Sequence, residues 1–548
     1  QKKEWRRAYG KYGADGLIST AFGQKSPNSV TQNNSHRQYL TGQLIAEYKG
    51  VFGKHDINVL GGWSAEENLY EDLQGKRTNI VGNELPALNL GDTDGWSNAA
   101  DENEWALLSG FMRASYAFAA KYLVEVNFRA DASSRFSKKN RWGVFPSASV
   151  GWRITEEKFM QNQHIFDNLK LRASWGQLGN QNGLGLYDHI ASYNINGYYP
   201  FKSELGQWAV ISKLPSESRT WETVEVKNIA VDMAFLRNRL TVTGEYFIKK
   251  NKDMLVSIEI PSIIGIDVPT GNYGELKVKG WEVTVGWQDK IKDFSYGARF
   301  NLSDQKDKLV DYGVEYNGFV AGVNQKVQGY SLGSIFGYRT DGYFTSEEEV
   351  KNSAAFNKAI TGVGDIKYID KDGDGKISAP NDLEYLGTTT PRYTFGLNLT
   401  AAWKGFDLGV LLQGVGKRNF YLSSEVMNPY YATWNNFSYK MHNDYWTPEN
   451  PNAAFPRYYA GANHNYQISD HWLQNAAYVR LKNLQLGYTI SPKLTKSWGI
   501  QRLRVYFSGD NLCEYSKLND NFDPELSDIN GYVYPIMRNF SFGINVTL

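Results

Sequence analysis

The stretch Tyr122-Leu-Val-Glu-Val-Asn-Phe-Arg-Ala-Asp131 decides how this chain is read. Its even positions carry Tyr122, Val124, Val126, Phe128 and Ala130; its odd positions carry Glu125, Asn127, Arg129 and Asp131. Side chains alternate faces along a strand, so this segment has one apolar and one charged face and belongs between hydrocarbon and water. The same split recurs in Trp281, Val283, Val285 and Trp287 against Glu282, Thr284, Gly286 and Gln288. It recurs in Tyr393, Phe395, Leu397, Leu399, Ala401 and Trp403 against Thr394, Gly396, Asn398, Thr400 and Lys404. The chain ends Phe540-Ser-Phe-Gly-Ile-Asn-Val-Thr-Leu548, apolar at every even position and small or polar at every odd one. Such runs exceed the ~5–6 residues of an ordinary soluble strand. They match the ~10-residue alternating segments of a transmembrane barrel, with aromatics near the strand ends where interfacial girdles fall.

The connections sort into two alternating kinds. Short ones lie at 49–55, 119–121, 236–239, 289–293 and 403–406, with slightly longer ones at 156–167 and 491–502. Between them lie mostly long polar segments at 64–104, 131–141, 178–221, 253–273, 303–391, 416–476 and 516–537. This asymmetry predicts an all-β, up-and-down antiparallel β-barrel with short periplasmic turns and long extracellular loops. The parity gives about 16 strands and puts the C-terminus on the short-turn side. A soluble propeller or tandem sandwich would instead show a regular repeat with short connections on both sides, and no such repeat is found.

Composition agrees with this reading. Among 548 residues there are 52 Gly, 36 Tyr, 27 Phe and 16 Trp, which suits strands, turns and aromatic interfaces. The 59 basic against 58 acidic residues leave no basic excess for nucleic acid. A single cysteine, Cys513, excludes an intrachain disulfide and any CxxC zinc site. No run approaches the ~18 apolar residues of a membrane helix. There is no GxSxG elbow, Walker loop, HExxH pair or dinucleotide fingerprint, so an enzyme is not expected.

One motif carries metal chemistry. In Asp370-Lys-Asp372-Gly-Asp374-Gly375-Lys376-Ile-Ser378, three carboxylates at loop positions 1, 3 and 5 converge on one cation because Gly375 permits a sharp turn. Lys376 would add its backbone carbonyl and Ser378 its hydroxyl or a bound water. Position 12 is Asn381, and the acid falls one residue later at Asp382, with Pro380 marking an insertion. A structural Ca2+ in loop 370–382 is expected; an uncoordinated Asp/Gly turn is the alternative. Tyr198, Tyr199, Trp208, Tyr430, Tyr431 and Trp434 sit in the long loops and are candidates for stacking on a substrate. Lys138-Lys139-Asn140-Arg141 is a solvated basic tip near anionic lipid headgroups.

Several segments together resemble the SusC/RagA-type TonB-dependent transporters. They are Asp131-Ala-Ser-Ser-Arg-Phe136 with Arg141-Trp-Gly-Val-Phe-Pro146 and Gly151-Trp-Arg153, then Leu171-Arg-Ala-Ser-Trp-Gly-Gln-Leu-Gly-Asn180. Lys279-Gly-Trp-Glu282, the DxDGDG loop, Tyr478-Val-Arg-Leu-Lys-Asn483 and Phe507-Ser-Gly-Asp-Asn-Leu512 follow in the family's order. The resemblance implies a bacterial outer-membrane barrel of about 22 strands that imports oligosaccharides or peptides. It implies energy from TonB, a SusD-like surface lipoprotein as lid, and a dimer of transporter–lipoprotein pairs. The chain opens Gln1-Lys-Lys-Glu-Trp-Arg-Arg7. Residues 1–548 are therefore expected to be a single barrel portion, with plug, TonB box and first strands supplied by an N-terminal part outside it. The alternatives are an outer-membrane scaffold or surface-assembly platform without active transport, and a passive porin.

Overall fold

A computed structural model of the chain describes residues 2–6, 11–12, 18–19, 27–81, 85–201, 204–211, 213–257, 263, 265–266, 270–313, 319–430, 440–526 and 536–548. Sixteen of the described strands form one antiparallel sheet in which each strand pairs with its neighbours in chain order. They are β1 (Lys2–Arg6), β2 (Ser29–Phe52), β3 (His55–Thr78), β4 (Ser97–Phe118), β5 (Tyr122–Ser133) and β6 (Trp142–Arg153). Then come β7 (Phe166–Asn180), β8 (Glu222–Phe235), β9 (Leu240–Val256), β10 (Gly271–Ile291) and β11 (Phe294–Tyr312). The last five are β12 (Arg392–Trp403), β13 (Phe406–Lys417), β14 (Tyr478–Thr489), β15 (Arg502–Ser516) and β16 (Asn539–Thr547). The ends of the sheet, β1 and β16, do not pair with one another among the described residues.

Register turns the alternation of each strand into two continuous surfaces. One row of partners runs Ile57, Tyr116, Val124, Val150, Ala173, Ile229, Tyr246, Trp281 across eight strands. The neighbouring row on the opposite face runs Asn58, Ser115, Glu125, Ser149, Ser174, Asn228. A one-residue slip at any ladder would put charge into lipid on every strand beyond it, so the pattern enforces the register. In the C-terminal half the outward row at the short-turn end is Phe294, Trp403, Phe406 and Tyr488, one rim of an aromatic girdle. From Tyr393 to Trp403 is ten residues, about 33 Å along the strand and about 25 Å in height at ~40° tilt, the depth of the apolar band.

The short turns are locally encoded. Between β12 and β13, Lys404 and Gly405 both take positive φ, 45° and 92°, the conformation of a two-residue hairpin turn that follows strand twist. The long side differs from expectation most at one loop, while β11 also runs into the expected 303–391 loop as far as Tyr312. Residues 64–104 are largely paired, since β3 continues to Thr78 and β4 begins at Ser97. Beyond the lipid, a ladder still satisfies backbone groups while both faces meet water, so Glu66, Glu67, Glu71 and Asp72 do not end the strand.

Three of the long loops pack together as a lobe with its own core. Tyr338, Ile366, Tyr368, Ile377 and Leu383 come from the 313–391 connection; Phe420, Leu422, Val426, Phe455 and Trp472 come from 418–477; Leu518 comes from the last loop. A second, smaller cluster of Phe136, Phe145, Leu184 and Trp221 pins the 134–141 turn against the 181–221 loop. Trp221 Nε1 donates to the Arg141 carbonyl there at 3.0 Å.

Candidate functional site

Two regions carry chemistry: the inner wall of the sheet and the lobe above it. On the wall, Arg172 of β7 lies 3.0 Å from Asp232 of β8 and 3.2 Å from Glu245 of β9. Thr243 donates to Asp232 at 3.2 Å and Asn228 donates to Glu245. Arg504 of β15 reaches Asp407 of β13 at 2.9 Å. All these groups occupy inward parity positions and, apart from the buried Arg504, are half-buried in a polar trough, where pairing holds the side chains upright without removing them from water. A concavity of about 720 Å³ is lined in part by Lys49, Asp56, Glu125, Lys170 and Arg172, and another of about 1020 Å³ by Arg239, Gln288, Arg299 and Asp407. Such surfaces offer donors, acceptors and both signs of charge to a polar solute. The alternation identifies these residues as inward-facing. That Arg172, Asp232 and Glu245 meet depends on register between three strands, which no local signal carries.

In the lobe, the acidic loop folds as its spacing predicts. Asp370, Asp372 and Asp374 each bring one carboxylate oxygen within 4.8 Å of the others. Gly373 and Gly375, at φ 75° and 82°, let the backbone turn around this point. Their amides donate to Asp370 at 2.7 and 2.8 Å, and the Gly375 amide chiefly, with Gly373, holds the Asp370 carboxyl below the usual carboxylate range. Oxygens that close can share one cation with ligand distances of about 2.3–2.6 Å, so the donor set fits calcium. Lys376 and Ser378 follow in the same loop, where their amides donate to Asp374 and Asp382 at 2.8 and 2.7 Å.

Asp382 takes a different place. It is 1% exposed and accepts from the Lys371 and Ser378 amides at 2.8 and 2.7 Å, tying both ends of the loop together. The Asn381 side chain instead approaches the acidic cluster, donating to Asp372 at 2.8 Å. Ile377, within the loop, is inserted in the lobe core. A network absent from the sequence reading lies nearby. Buried Asp365 accepts from His464 Nε2 at 2.9 Å, from the Tyr459 hydroxyl at 3.0 Å and from the Asn465 amide at 2.9 Å. These residues are some hundred positions apart from Asp365, a juxtaposition only the packed lobe supplies.

The stacking candidates are distributed over two elements. Tyr198, Tyr199 and Trp208 stand exposed on a hairpin of Tyr193–Phe201 and Glu204–Ile211 in the 181–221 loop. Tyr430 belongs to the lobe, its ring edge-on to Tyr458 at 5.8 Å. Tyr431 and Trp434 lie outside the described residues.

With this geometry in view, comparison with known proteins is decisive. The family described as TonB dependent receptor-like, beta-barrel, matches residues 2–512. The chain belongs to the TonB-dependent receptor β-barrel family. A TonB-dependent receptor of Formosa agariphila is 30% identical over 530 residues, covering 91% of this chain and 52% of the relative. The TonB-dependent receptor SusC of Bacteroides thetaiotaomicron is 28% identical over 463 residues, covering 80% of this chain and 43% of SusC. The solved RagAB peptide transporter superposes with a TM-score of 0.82 at 23% identity, over 96% of this chain and 57% of its own. The chain thus spans about half the length of the curated relatives it matches. It is a receptor barrel of the SusC/RagA type, and its place is the bacterial outer membrane.

Proposed function

We propose that this chain forms wall and surface loops of an importer energised through TonB, taking up a polar solute of the oligosaccharide or peptide class. The observation that supports the reading most is the inward row of polar and charged side chains from Asn58 to Asn228, held by register across six strands. A trough of this kind passes hydrogen-bonding solutes. Among the described residues the sheet ends β1 and β16 do not pair, and edges that lipid cannot satisfy support a working barrel with further strands from the rest of the transporter. A plug and TonB box in that remainder supply the energy coupling, a SusD-like lipoprotein closes over the loops, and two such pairs associate. Exposed Tyr198, Tyr199 and Trp208 are the residues of this chain placed to meet substrate or lid from above.

The lobe keeps these loops in shape, and a structural calcium held by Asp370, Asp372 and Asp374, with the Lys376 carbonyl and Ser378, cross-links the 370–382 loop. Asp382 contributes by closing the loop's base. The test of import is uptake by cells expressing the complete protein, on defined oligosaccharide and peptide mixtures, with and without TonB. Uptake of one class that vanishes without TonB supports the proposal. TonB-independent uptake points to a porin, and no uptake of either class points to a surface platform.

A further inference from the structure

Where β13 ends and β14 begins, at the long-loop end of the inner wall, three cations close on four consecutive residues of the last loop. Arg480 of β14 pairs with Gln413, which shares the inward parity of Asp407 on β13, so its guanidinium starts from the lumen side. Lys482 has no partner on β13, because the ladder slips between Leu411 and Leu412, and a bulge of this kind re-aims a side chain. Arg418 directly follows the end of β13. Arg480 reaches Asp523 at 2.7 Å and Glu525 at 2.9 Å, and Lys482 reaches Glu525 at 2.8 Å. Arg418 donates to the backbone carbonyls of Pro524 and Leu526, the latter at 2.7 Å.

The strap Asp523-Pro-Glu-Leu526 is held the way a bound peptide would be. Its two carboxylates stand at alternate residues, each side chain 17% exposed, and its carbonyls are met by a planar guanidinium. Its own fold is slight: the Glu525 amide donates to Asp523 Oδ1 at 2.8 Å, and the Leu526 amide to the Asp523 carbonyl at 3.2 Å. Leu518, in the lobe core, and Phe522, packed against it, anchor the loop just before the strap. The cations also keep donors in reserve. Arg480 Nε and Nη1 and Arg418 Nε are buried without a hydrogen bond, so the 2.9 Å contact of Nη1 with Glu525 is an ion pair off the hydrogen-bond direction. The other charges facing Arg480 are few: Glu514 lies 3.8 Å away and is shared with Arg538 at 3.6 Å.

We infer that residues 523–526 occupy a peptide site of the lumen, and that an acidic peptide with carboxylates two residues apart takes their place there. Carboxylates alone would suit an acidic sugar equally, but the two carbonyls held by Arg418 are peptide groups spaced along one chain. Strap and incoming peptide make the same contacts, so the exchange leaves no cation buried and unpaired, which is the costly state. The strap is tethered and competes at an effective concentration of about millimolar, so the site answers to a peptide gathered to about that level. The inference rests on the import reading for the origin of the peptide, and it narrows the solute to one class.

The test uses the complete protein in detergent and two tetrapeptides with blocked termini, Asp-Pro-Glu-Leu and its neutral counterpart Asn-Pro-Gln-Leu. Deuterium uptake of residues 517–526 and peptide affinity are the readouts. The acidic peptide should speed uptake there severalfold at about millimolar concentration, and the neutral one should not. Glu525→Gln removes one acid from the strap and keeps the Asp523 pair, so the open fraction rises and the acidic peptide should bind about tenfold more tightly. Asp523→Asn, sparing Glu525, is the second variant and should act in the same direction. A loop with a purely structural role would gain no affinity from either change. Glu525→Gln combined with Lys482→Gln should lose the gain. The proposal is overturned if the acidic peptide leaves exchange unchanged, if the neutral peptide opens the loop equally, or if neither strap variant gains affinity. Equal opening by trigalacturonate, which has carboxylates and no peptide carbonyls, overturns the choice of a peptide. TonB-dependent peptide uptake by a protein whose 517–526 exchange never responds would leave import standing and overturn the site. Opening by the acidic peptide in a protein that imports nothing would keep the site and overturn import.

Discussion

Replacing Ala148 with arginine tests the assignment of faces, because its neighbour Ser149 provides the control on the same strand. Ala148 pairs with Val126 and Trp175 in the outward rows, four residues from the girdle Trp152, about 13 Å along the strand and about 10 Å into the apolar band. A guanidinium there meets hydrocarbon, and the penalty near mid-depth is about 2–4 kcal/mol. That is about a thirtyfold to thousandfold loss in the folding equilibrium. Ser149 points inward and opposes Glu125, whose carboxylate already accepts from Ser115 at 2.8 Å and Asn127 at 3.1 Å. Arginine at 149 gains a half-exposed ion pair with Glu125, and its net effect is within about 1 kcal/mol. The assay is the denaturant midpoint of the complete protein refolded into lipid vesicles, with unchanged slope as evidence that the folded state is the same. Equal shifts for the two variants, or a larger shift for Ser149→Arg, would refute the register and with it the polar interior.

Three further outcomes are expected. Calcium should slow proteolytic cleavage within 364–388 in the unmodified protein and have no effect after Asp370→Asn with Asp372→Asn; a loop indifferent to calcium in both would remove the metal from the account. Burial holds His442 below its usual protonation range, and burial likewise lowers His471 despite the Ala454 carbonyl and Asp470 beside it. Both bind a proton less readily folded than unfolded, so the unfolded lobe binds more protons below about pH 6.5 and stability is lost as pH falls from there. Hydrogen exchange of the lobe should accelerate between neutral pH and pH 5 after correction for intrinsic rates, and a lobe that tightens on acidification would contradict this. Finally, Arg480 is 1% exposed and holds the last loop through Asp523 at 2.7 Å and Glu525 at 2.9 Å. Arg480→Leu should cost about 2–3 kcal/mol, below the full figure for a broken buried pair because both carboxylates keep some water, and should release residues 517–526 to exchange. An unchanged exchange pattern there would show that Arg418, which donates to the Pro524 and Leu526 carbonyls, and Lys482, paired with Glu525 at 2.8 Å, carry the loop without it.

The architecture was legible because a barrel wall is written with period two and its turns with local chemistry. Tyr122 to Asp131 states its own two faces, and Lys404-Gly405 states its own turn. The 370–374 carboxylates converge for the same reason, since five consecutive residues and two glycines set their spacing. The extent of β3 and β4 was not legible: above the lipid neither face has an apolar signature, and only a paired backbone distinguishes strand from loop. The place of Asp382 was not legible either, because its acceptance of the Lys371 and Ser378 amides at the base of the loop depends on how the loop closes.

The sequence by itself thus determined the strand alternation, the up-and-down order, the side on which loops are long and the acidic turn, all properties of residues near one another in the chain. Tertiary structure decided which inward residues meet across strands, as Arg172, Asp232 and Glu245 do. It also decided that residues as distant as Asp365 and His464 share one buried network, and that Arg418, Arg480 and Lys482 close on residues 523–526. These depend on register and on long loops closing over one another, interactions whose energy comes from burial between distant segments and leaves no local pattern to read.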